Sequence, residues 1–150
     1  MSDRSLSQRL RFKPGDRALI LNAPPGYRDR LDPLPNGVTV LEEHPIDAGY
    51  AFDLVQLFAP TKADLDRDAP DAIAAVVPDG VLWFCYPKRV PGLPTPDYNR
   101  DRGWETVDAA GLKGVAQISI DDRWSALRFR PASAVKPRTR AAAVATEGAG

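Results

Sequence analysis

Five cationic side chains follow a helix-start signal or an apolar run in this sequence, and they are its clearest candidates for binding chemistry. A helix amino terminus together with such cations suits a carboxylate or a phosphate group. We therefore expect a small anionic ligand, with solvated charges paired to nearby aspartates as the structural alternative. The cations are Lys62, Lys88, Arg89, Arg100 and Arg102.

Arginine and carboxylate alternate in the polar segment from Asn99 to Trp104. Arg100 and Arg102 can present forked donors to an anion while Asp101 orients one of them. Helical residues one or two apart point in different directions, so only part of this segment can converge on one ligand. The alternative is structural: Asp101 pairs with a neighbouring arginine, and Trp104 anchors a helix to the sheet.

Three other groups of reactive side chains have ordinary structural explanations. His44 and Ser125 could belong to a nucleophilic triad, but no nucleophile-elbow sequence surrounds the serine. Cys85 lies inside an apolar run, which predicts a buried thiol rather than a reactive one. Asp121 and Asp122 could act as an acid–base pair, although adjacent acids are common in hairpin turns. We assign no catalytic residue.

Composition narrows the classes of function. Twenty Lys and Arg balance twenty Asp and Glu, which argues against a dedicated binder of nucleic acid or of anionic membranes. One cysteine and one histidine exclude a disulfide framework and disfavour a metal site. The longest apolar runs hold six residues, far fewer than the ~20 that span a bilayer. With no signal peptide at its polar start, we expect a cytoplasmic protein.

The last part of the chain is poor in large aliphatic residues. We expect one folded domain over residues 1–131 and a disordered tail over residues 132–150. The tail carries three cations, Lys136, Arg138 and Arg140. Three charges make few phosphate contacts, so we predict no nucleic-acid partner.

Four apolar runs rich in β-branched or aromatic residues predict strands, each behind a turn signal. The runs are Arg17–Ala23, Val38–Glu42, Ala51–Phe58 and Val81–Tyr86. Two later segments alternate apolar and polar residues, which predicts a β-hairpin. They are Gly114–Ile120 and Trp124–Arg130.

Helices are predicted between these runs, from their capping and proline signals. Their predicted starts are near Ser5, Gly26, Thr61 and Thr95. The helix from Thr61 is expected to continue to Val77, and the helix from Thr95 to end at Gly111.

Alternating strands and helices predict an α/β domain with a mostly parallel sheet, helices on both faces and a terminal antiparallel hairpin. If the first four strands take the order 2-1-3-4, ligands bind at their carboxyl ends, beside the switch between the first and third strands. The loop after the first strand then lies at the site. This adds Asn22 and Gly26 to the candidate ligand-binding residues.

Two resemblances support this architecture. The strand order, the passage Pro78–Phe84 and the terminal hairpin resemble the second half of a Rossmann-like methyltransferase domain. Asp53 stands where that fold often has an aspartate before its fourth strand. The segments LNAPPGY, YPK, NRDRGW and IDDRWSALRFR resemble a family of small bacterial proteins of unknown function, over Leu10 to Pro131. The resemblances imply a single-domain Rossmann-like fold, and the second implies no activity.

The loop after the first strand departs from the methyltransferase pattern, which has a glycine-rich turn at this place. Pro24 and Pro25 lack amide donors and fix φ near −65°, and Gly26 is the one glycine in the loop. Glu42 or Glu43 at the end of the second strand could hold a ribose diol. Without the glycine-rich turn, we expect no cofactor.

Three hypotheses for function follow. The prolines in the loop and the lack of a convincing catalytic set favour a non-catalytic binding or regulatory module. The alternative is an enzyme or carrier for a small anionic or nucleotide-like ligand, S-adenosylmethionine included, at a rim formed by Asn22, Lys88, Arg100 and Arg102. A protein partner or a homodimer at the hairpin edge, partly guarded by the hairpin arginines, stays open.

Overall fold

A computed structural model describes residues 5–43 and 51–134 of the chain, around one six-stranded sheet. The strands are β1 (Arg17–Leu21), β2 (Thr39–Leu41), β3 (Phe52–Phe58), β4 (Val76–Pro87), β5 (Leu112–Ser119) and β6 (Trp124–Pro131). The α-helices are α1 (Leu6–Arg9), α2 (Lys62–Ala75) and α3 (Glu105–Ala109). Short 3-10 helices are formed by Arg28–Leu31 and Ala132–Ala134.

The strand order in the sheet is β2-β1-β3-β4-β6-β5. Strand β1 pairs in parallel with both β2 and β3, and β3 pairs in parallel with β4. Strand β6 is antiparallel to both β4 and β5. The predicted α/β fold with a terminal hairpin is therefore confirmed. Arg128 and Arg130 lie on the inner strand β6, so they do not guard the sheet edge at β5 as expected.

The central strands are covered on both faces, which explains their nearly continuous apolar runs. Within β3, the side chain of Asp53 is exposed and every other residue is buried. An Asp53 carboxylate oxygen accepts a hydrogen bond from the Arg17 amide at 2.9 Å. Asp53 therefore ties the amino ends of β3 and β1 together, at the opposite end of the sheet from the loop after β1.

The boundary between α2 and β4 differs from the prediction. The helix ends at Ala75, and Val76 already pairs with Phe52 of β3. The sequence Pro78-Asp79-Gly80 was expected to separate helix from strand, but it forms an irregularity inside β4, where the register shifts and Asp79 has a φ of 55°. Strand pairing with β3 thus overrides the helical periodicity at the end of α2.

The helix predicted from Thr95 is confined to the five residues of α3. An isolated bridge pairs Asn99 with Arg102, and the next residue, Gly103, has a φ of 102°. A Cβ atom at Gly103 would lie 2.6 Å from the Cβ of Tyr98. The chain therefore makes a tight loop at the place where a continuous helix was expected.

Helices cover both faces of the sheet, as predicted. On one face, Leu65 of α2 and Val107 of α3 are fully buried in one apolar cluster. On the other face, Leu10 after α1 and Leu31 of the first 3-10 helix are fully buried in a second cluster. The indole Nε1 of Trp83 donates to the Leu10 carbonyl at 2.8 Å. This bond fixes the end of α1 onto the sheet.

No helix among residues 5–43 and 51–134 is long and apolar enough to cross a membrane. The predicted tail begins with the 3-10 helix Ala132–Ala134. The rest of that tail, with its three cations, lies outside the described residues, and so does His44.

A matched pair of glycine substitutions tests the loop before α3. Gly103 and Gly92 both have positive φ, but a Cβ at Gly92 meets nothing within 4 Å. We expect Gly92→Ala to lower the free energy of unfolding by about 1 kcal/mol through backbone strain. Gly103→Ala adds a clash with Tyr98, and we expect a loss of about 2–4 kcal/mol. Urea unfolding measures both, and equal losses would contradict the described packing.

An ion pair within α2, which also accepts a hydrogen bond from α3, gives a pH-dependent prediction. The Lys62 ammonium lies 2.7 Å from an Asp66 carboxylate oxygen, and the Thr106 hydroxyl donates to the other oxygen at 2.9 Å. The Lys62 ammonium, followed by the Thr106 hydroxyl, lowers the pKa of Asp66 below its usual value, although partial burial opposes this shift. Asp66 therefore stabilises the fold above its unfolded pKa, and this contribution is lost as the pH falls through the folded pKa.

We expect Asp66→Asn to lower the melting temperature at pH 7 by about 1–3 °C, since a partly exposed pair contributes little. The difference from wild type should shrink below about pH 4, where the unfolded carboxyl also protonates. Asp71→Asn, at an exposed position of α2 that forms no ion pair within the described residues, is the control and should leave the melting temperature at pH 7 nearly unchanged. Thermal unfolding followed by circular dichroism from pH 3 to pH 7 compares the three proteins.

Candidate functional site

The parallel strands β1 to β4 all end at one edge of the sheet, which we call the carboxyl edge. Strands β2 and β3 lie on opposite sides of β1, so the direction of chain winding reverses beside β1. Such reversal points are where open α/β sheets bind their ligands. The loop that follows β1 leaves the sheet at this point.

Two residues with positive φ shape the loop after β1. Asn22 has a φ of 61° and Gly26 a φ of 77°, on either side of Pro24 and Pro25. The Tyr27 amide donates to the Pro24 carbonyl at 3.1 Å and closes the turn. Space beside Gly26 is open, because a Cβ built there meets nothing within 4 Å. The chain thus turns sharply here without a run of glycines.

Asn22 is engaged inside the protein. Its side-chain amide donates to a carboxylate oxygen of Asp68 on α2 at 3.0 Å. The Arg67 guanidinium, and then the Asn22 amide, lower the pKa of Asp68, while burial acts in the opposite direction. The carboxylate that holds Asn22 is therefore ionised at neutral pH, and the bond ties the loop after β1 to the helix after β3.

A first cavity opens on the other side of this loop, towards β2. It has a volume of about 340 Å³ and is lined by the segment Ala23–Asp29 and by Glu42. Glu42 directly follows β2, whereas the neighbouring Glu43 does not line the cavity. The charged residues of the lining are Arg28, Asp29 and Glu42. The first cavity therefore carries two carboxylates and one guanidinium.

The buried side chain of Gln56 contacts Tyr27, the last residue of this loop. The Gln56 side-chain amide contacts the Tyr27 hydroxyl at 2.6 Å and the Cys85 sulfur at 3.3 Å, and all three residues are buried. Burial raises the pKa of the Cys85 thiol and of the Tyr27 phenol, so both stay protonated. Cys85 is thus a buried neutral thiol, as expected. Gln56 was not predicted from the sequence, where its only signal is a single amide inside an apolar run.

A second cavity of about 490 Å³ lies at the ends of β3 and β4, on the same carboxyl edge. Its lining is mostly the proline-rich loop after β4, with Thr61, Lys88 and Trp124. The Lys88 ammonium donates to the Ser119 hydroxyl at 2.6 Å. Leu93, which also lines this cavity, is 43% exposed. The second cavity therefore combines apolar walls with two cations, Lys88 and Arg123, and one carboxylate, Asp97.

Two further sequence candidates lie outside these cavities. The Lys62 ammonium pairs with Asp66 of α2 at 2.7 Å and with Glu105 of α3 at 3.4 Å. The Lys62 amide donates to the Asp97 carboxylate at 2.9 Å, so a protein side chain already occupies the start of α2. Arg89 is exposed and lines neither the first cavity nor the second.

The alternating arginines lie in a third cavity, of about 630 Å³, over β5 and β6. Arg100, Asp101 and Arg102 all line it. The Arg100 guanidinium contacts Asp101 at 3.3 Å and the Gln117 side-chain oxygen at 3.2 Å. Asn22, Lys88 and these arginines were expected at one rim, but the fold distributes them over separate places.

The remaining reactive groups have structural roles. One Asp121 oxygen accepts from the amides of Arg123 and Trp124, and the other forms an ion pair with Arg30 at 2.7 Å. Asp121 therefore stabilises the hairpin turn. No cluster of three or more His, Cys, Asp or Glu suited to a metal ion occurs within residues 5–43 and 51–134.

Solved structures share this fold at low sequence identity. A SAM-dependent methyltransferase from Aquifex aeolicus aligns with a TM-score of 0.54 at 10% identity, over 81% of this chain and 85% of that chain. The N-methyltransferase NodS from Bradyrhizobium japonicum WM9, in complex with S-adenosyl-L-homocysteine, has a TM-score of 0.50 at 13% identity, over 86% and 89%. The cyclase SpnF has a TM-score of 0.54 at 13% identity, over 83% and 79%.

No protein-family model matches the sequence, and no curated protein matches it. The structural similarities overturn the expectation that no cofactor is involved, since one neighbour is SAM-dependent and another holds S-adenosyl-L-homocysteine. The strand order and these alignments together show that the chain has the Rossmann-like fold of SAM-dependent methyltransferases.

Proposed function

We propose that this chain binds a ligand of the S-adenosylmethionine type in the first cavity. One observation carries the proposal: the loop after β1 and the carboxylate after β2 line one cavity, beside the point where the strand order reverses. Acidic residues at the end of the second strand hold the ribose diol in nucleotide-binding α/β sheets. The volume of about 340 Å³ lies at the lower end of the range of small-molecule sites.

The residues of the first cavity favour a nucleoside without phosphate groups. Phosphates are usually bound by backbone amides at a helix start, and Pro24 and Pro25 supply none. The lining holds one guanidinium, that of Arg28, and two carboxylates, those of Asp29 and Glu42. An acidic lining disfavours a pyrophosphate and suits the positive sulfonium of S-adenosylmethionine. A dinucleotide therefore fits this site poorly, whereas an S-adenosylmethionine-type ligand fits it.

An enzyme accounts for this edge of the sheet better than a passive binding module. Bound S-adenosylmethionine supplies an electrophilic methyl group. The second cavity lies on the same carboxyl edge and offers a place for a second molecule. Trp124 and Leu93 form apolar walls there, and Lys88, Arg123 and Asp97 are its charged groups. Lys88, held at Ser119, would orient a polar or anionic group of that molecule.

Two adjacent glutamates provide a matched test of the first cavity. We expect Glu42→Gln to weaken binding of S-adenosylmethionine about tenfold or more, because a charge-assisted acceptor for the ribose hydroxyls is lost. Glu43→Gln removes the same charge one residue away and should change the Kd less than twofold. Isothermal titration calorimetry with S-adenosylmethionine and S-adenosyl-L-homocysteine measures both variants.

A thermal shift adds an independent readout. S-adenosylmethionine at 100 times its Kd should stabilise the wild-type protein by about 2.7 kcal/mol. Equal changes in Kd in Glu42→Gln and Glu43→Gln would show that Glu42 does not bind the ligand. The absence of saturable binding to the wild-type chain would overturn the proposed function.

A further inference from the structure

Three arginines gather on the face of the sheet that α1 covers, away from the carboxyl edge. We call Arg11, Arg128 and Arg130 the arginine cluster. Arg128 of β6 is the register partner of Trp83 of β4, and directly opposed residues of an antiparallel pair project from the same face. Trp83 belongs to the apolar cluster that packs under α1.

Arg11 is brought to the same place by the end of α1. The Trp83 indole donates to the carbonyl of Leu10 at 2.8 Å. The next residue, Arg11, is exposed and has a φ of 74°. The contact that fixes α1 onto the sheet therefore also places Arg11 near Arg128.

The charges of the arginine cluster are only partly balanced. Asp79 accepts from Arg130 through both of its oxygens, at 2.8 and 2.6 Å. The Nε atom of Arg128 is buried and has no hydrogen-bond partner within the described part of the chain. Burial lowers the pKa of Arg128, and the like charges of Arg11 and Arg130 lower it further. Asp79, the carboxylate that also acts on Arg128, is thus held by Arg130, while the Nε atom of Arg128 has no partner in the described part of the chain.

We propose that the arginine cluster binds a small oxyanion, namely a phosphate group that is either free or carried by a metabolite. Guanidinium groups match the geometry of phosphate oxygens and can bind them in a bidentate manner. An anion here relieves the repulsion between Arg11 and Arg128 and balances a partly buried charge. A nucleic acid would need a longer row of phosphate contacts, which a chain of zero net charge with two available guanidiniums does not offer.

This site is independent of the proposed function. Asp79, which is bonded to Arg130, lies towards the amino end of β4. The first cavity lies at the carboxyl ends of β1 and β2. The ligand classes also differ, because the first cavity has an acidic lining and the arginine cluster is cationic. S-adenosylmethionine titrations therefore serve as a separate control for each arginine variant.

The test titrates the full chain with inorganic phosphate and, separately, with ribose 5-phosphate, at constant ionic strength set with sodium chloride. We expect saturable binding of one or both to the wild-type protein. Arg128→Gln should raise the Kd about tenfold or more, and Arg11→Gln about threefold to tenfold, since each loses a charge-assisted hydrogen bond. Arg89→Gln, at an exposed position in the loop after β4, is the matched control and should change the Kd less than twofold.

Asp79→Asn should change the Kd for phosphate in the opposite direction from the arginine variants. It removes the carboxylate that holds Arg130, so we expect phosphate to bind about threefold or more tightly. Circular dichroism checks that Arg128→Gln is folded, and Arg11→Gln tests the proposal at an exposed position where folding is not at risk. Tighter binding of ribose 5-phosphate than of phosphate would identify a metabolite as the ligand, and the reverse would identify the free ion. No saturable binding, or equal Kd values in Arg11→Gln and Arg89→Gln, would overturn the proposal.

Discussion

The placement of β1 between two parallel neighbours constrains everything at the carboxyl edge. A right-handed crossover from β1 to β2 passes over one face of the sheet, and a crossover from β3 to β4 passes over the other. The loops after β1 and β3 therefore diverge and leave a crevice between them. In this chain the bond between Asn22 and Asp68 bridges the crevice. The space that remains lies towards β2, and this is why Glu42 rather than Lys62 or Lys88 lines the first cavity.

The loop after β1 separates two properties that a glycine-rich turn usually combines. Glycines allow both a sharp turn and a close approach of backbone amides to a ligand. Here Asn22 and Gly26 provide the positive φ values that turn the chain, while Pro24 and Pro25 remove the amide donors. A turn of this kind still borders a cavity, but it offers fewer backbone amides to bind a phosphate group. The expectation of no cofactor failed because it treated the glycine-rich turn as the only way to build such a cavity.

Local sequence signals predicted those parts of the fold that depend on local chemistry. Four apolar runs and two alternating segments located all six strands, and Thr61 caps α2 as its sequence indicates. The errors arose where distant residues decide. Pairing with Phe52 converts Val76 from helix to strand, and close packing of Gly103 on Tyr98 replaces a long helix by a loop. Lys62, Lys88 and Arg100 look equivalent in the sequence. In the fold, Lys62 pairs along α2, Lys88 lines the second cavity and Arg100 lines the third.

Zero net charge conceals a division of charge between the two ends of the sheet. The first cavity presents Asp29 and Glu42 against Arg28, whereas the arginine cluster has one carboxylate, Asp79, that is held by Arg130. Composition cannot show this division, because it counts charges without their positions. A compact anion site requires only two or three guanidiniums that the fold brings together, and a balanced composition does not exclude it.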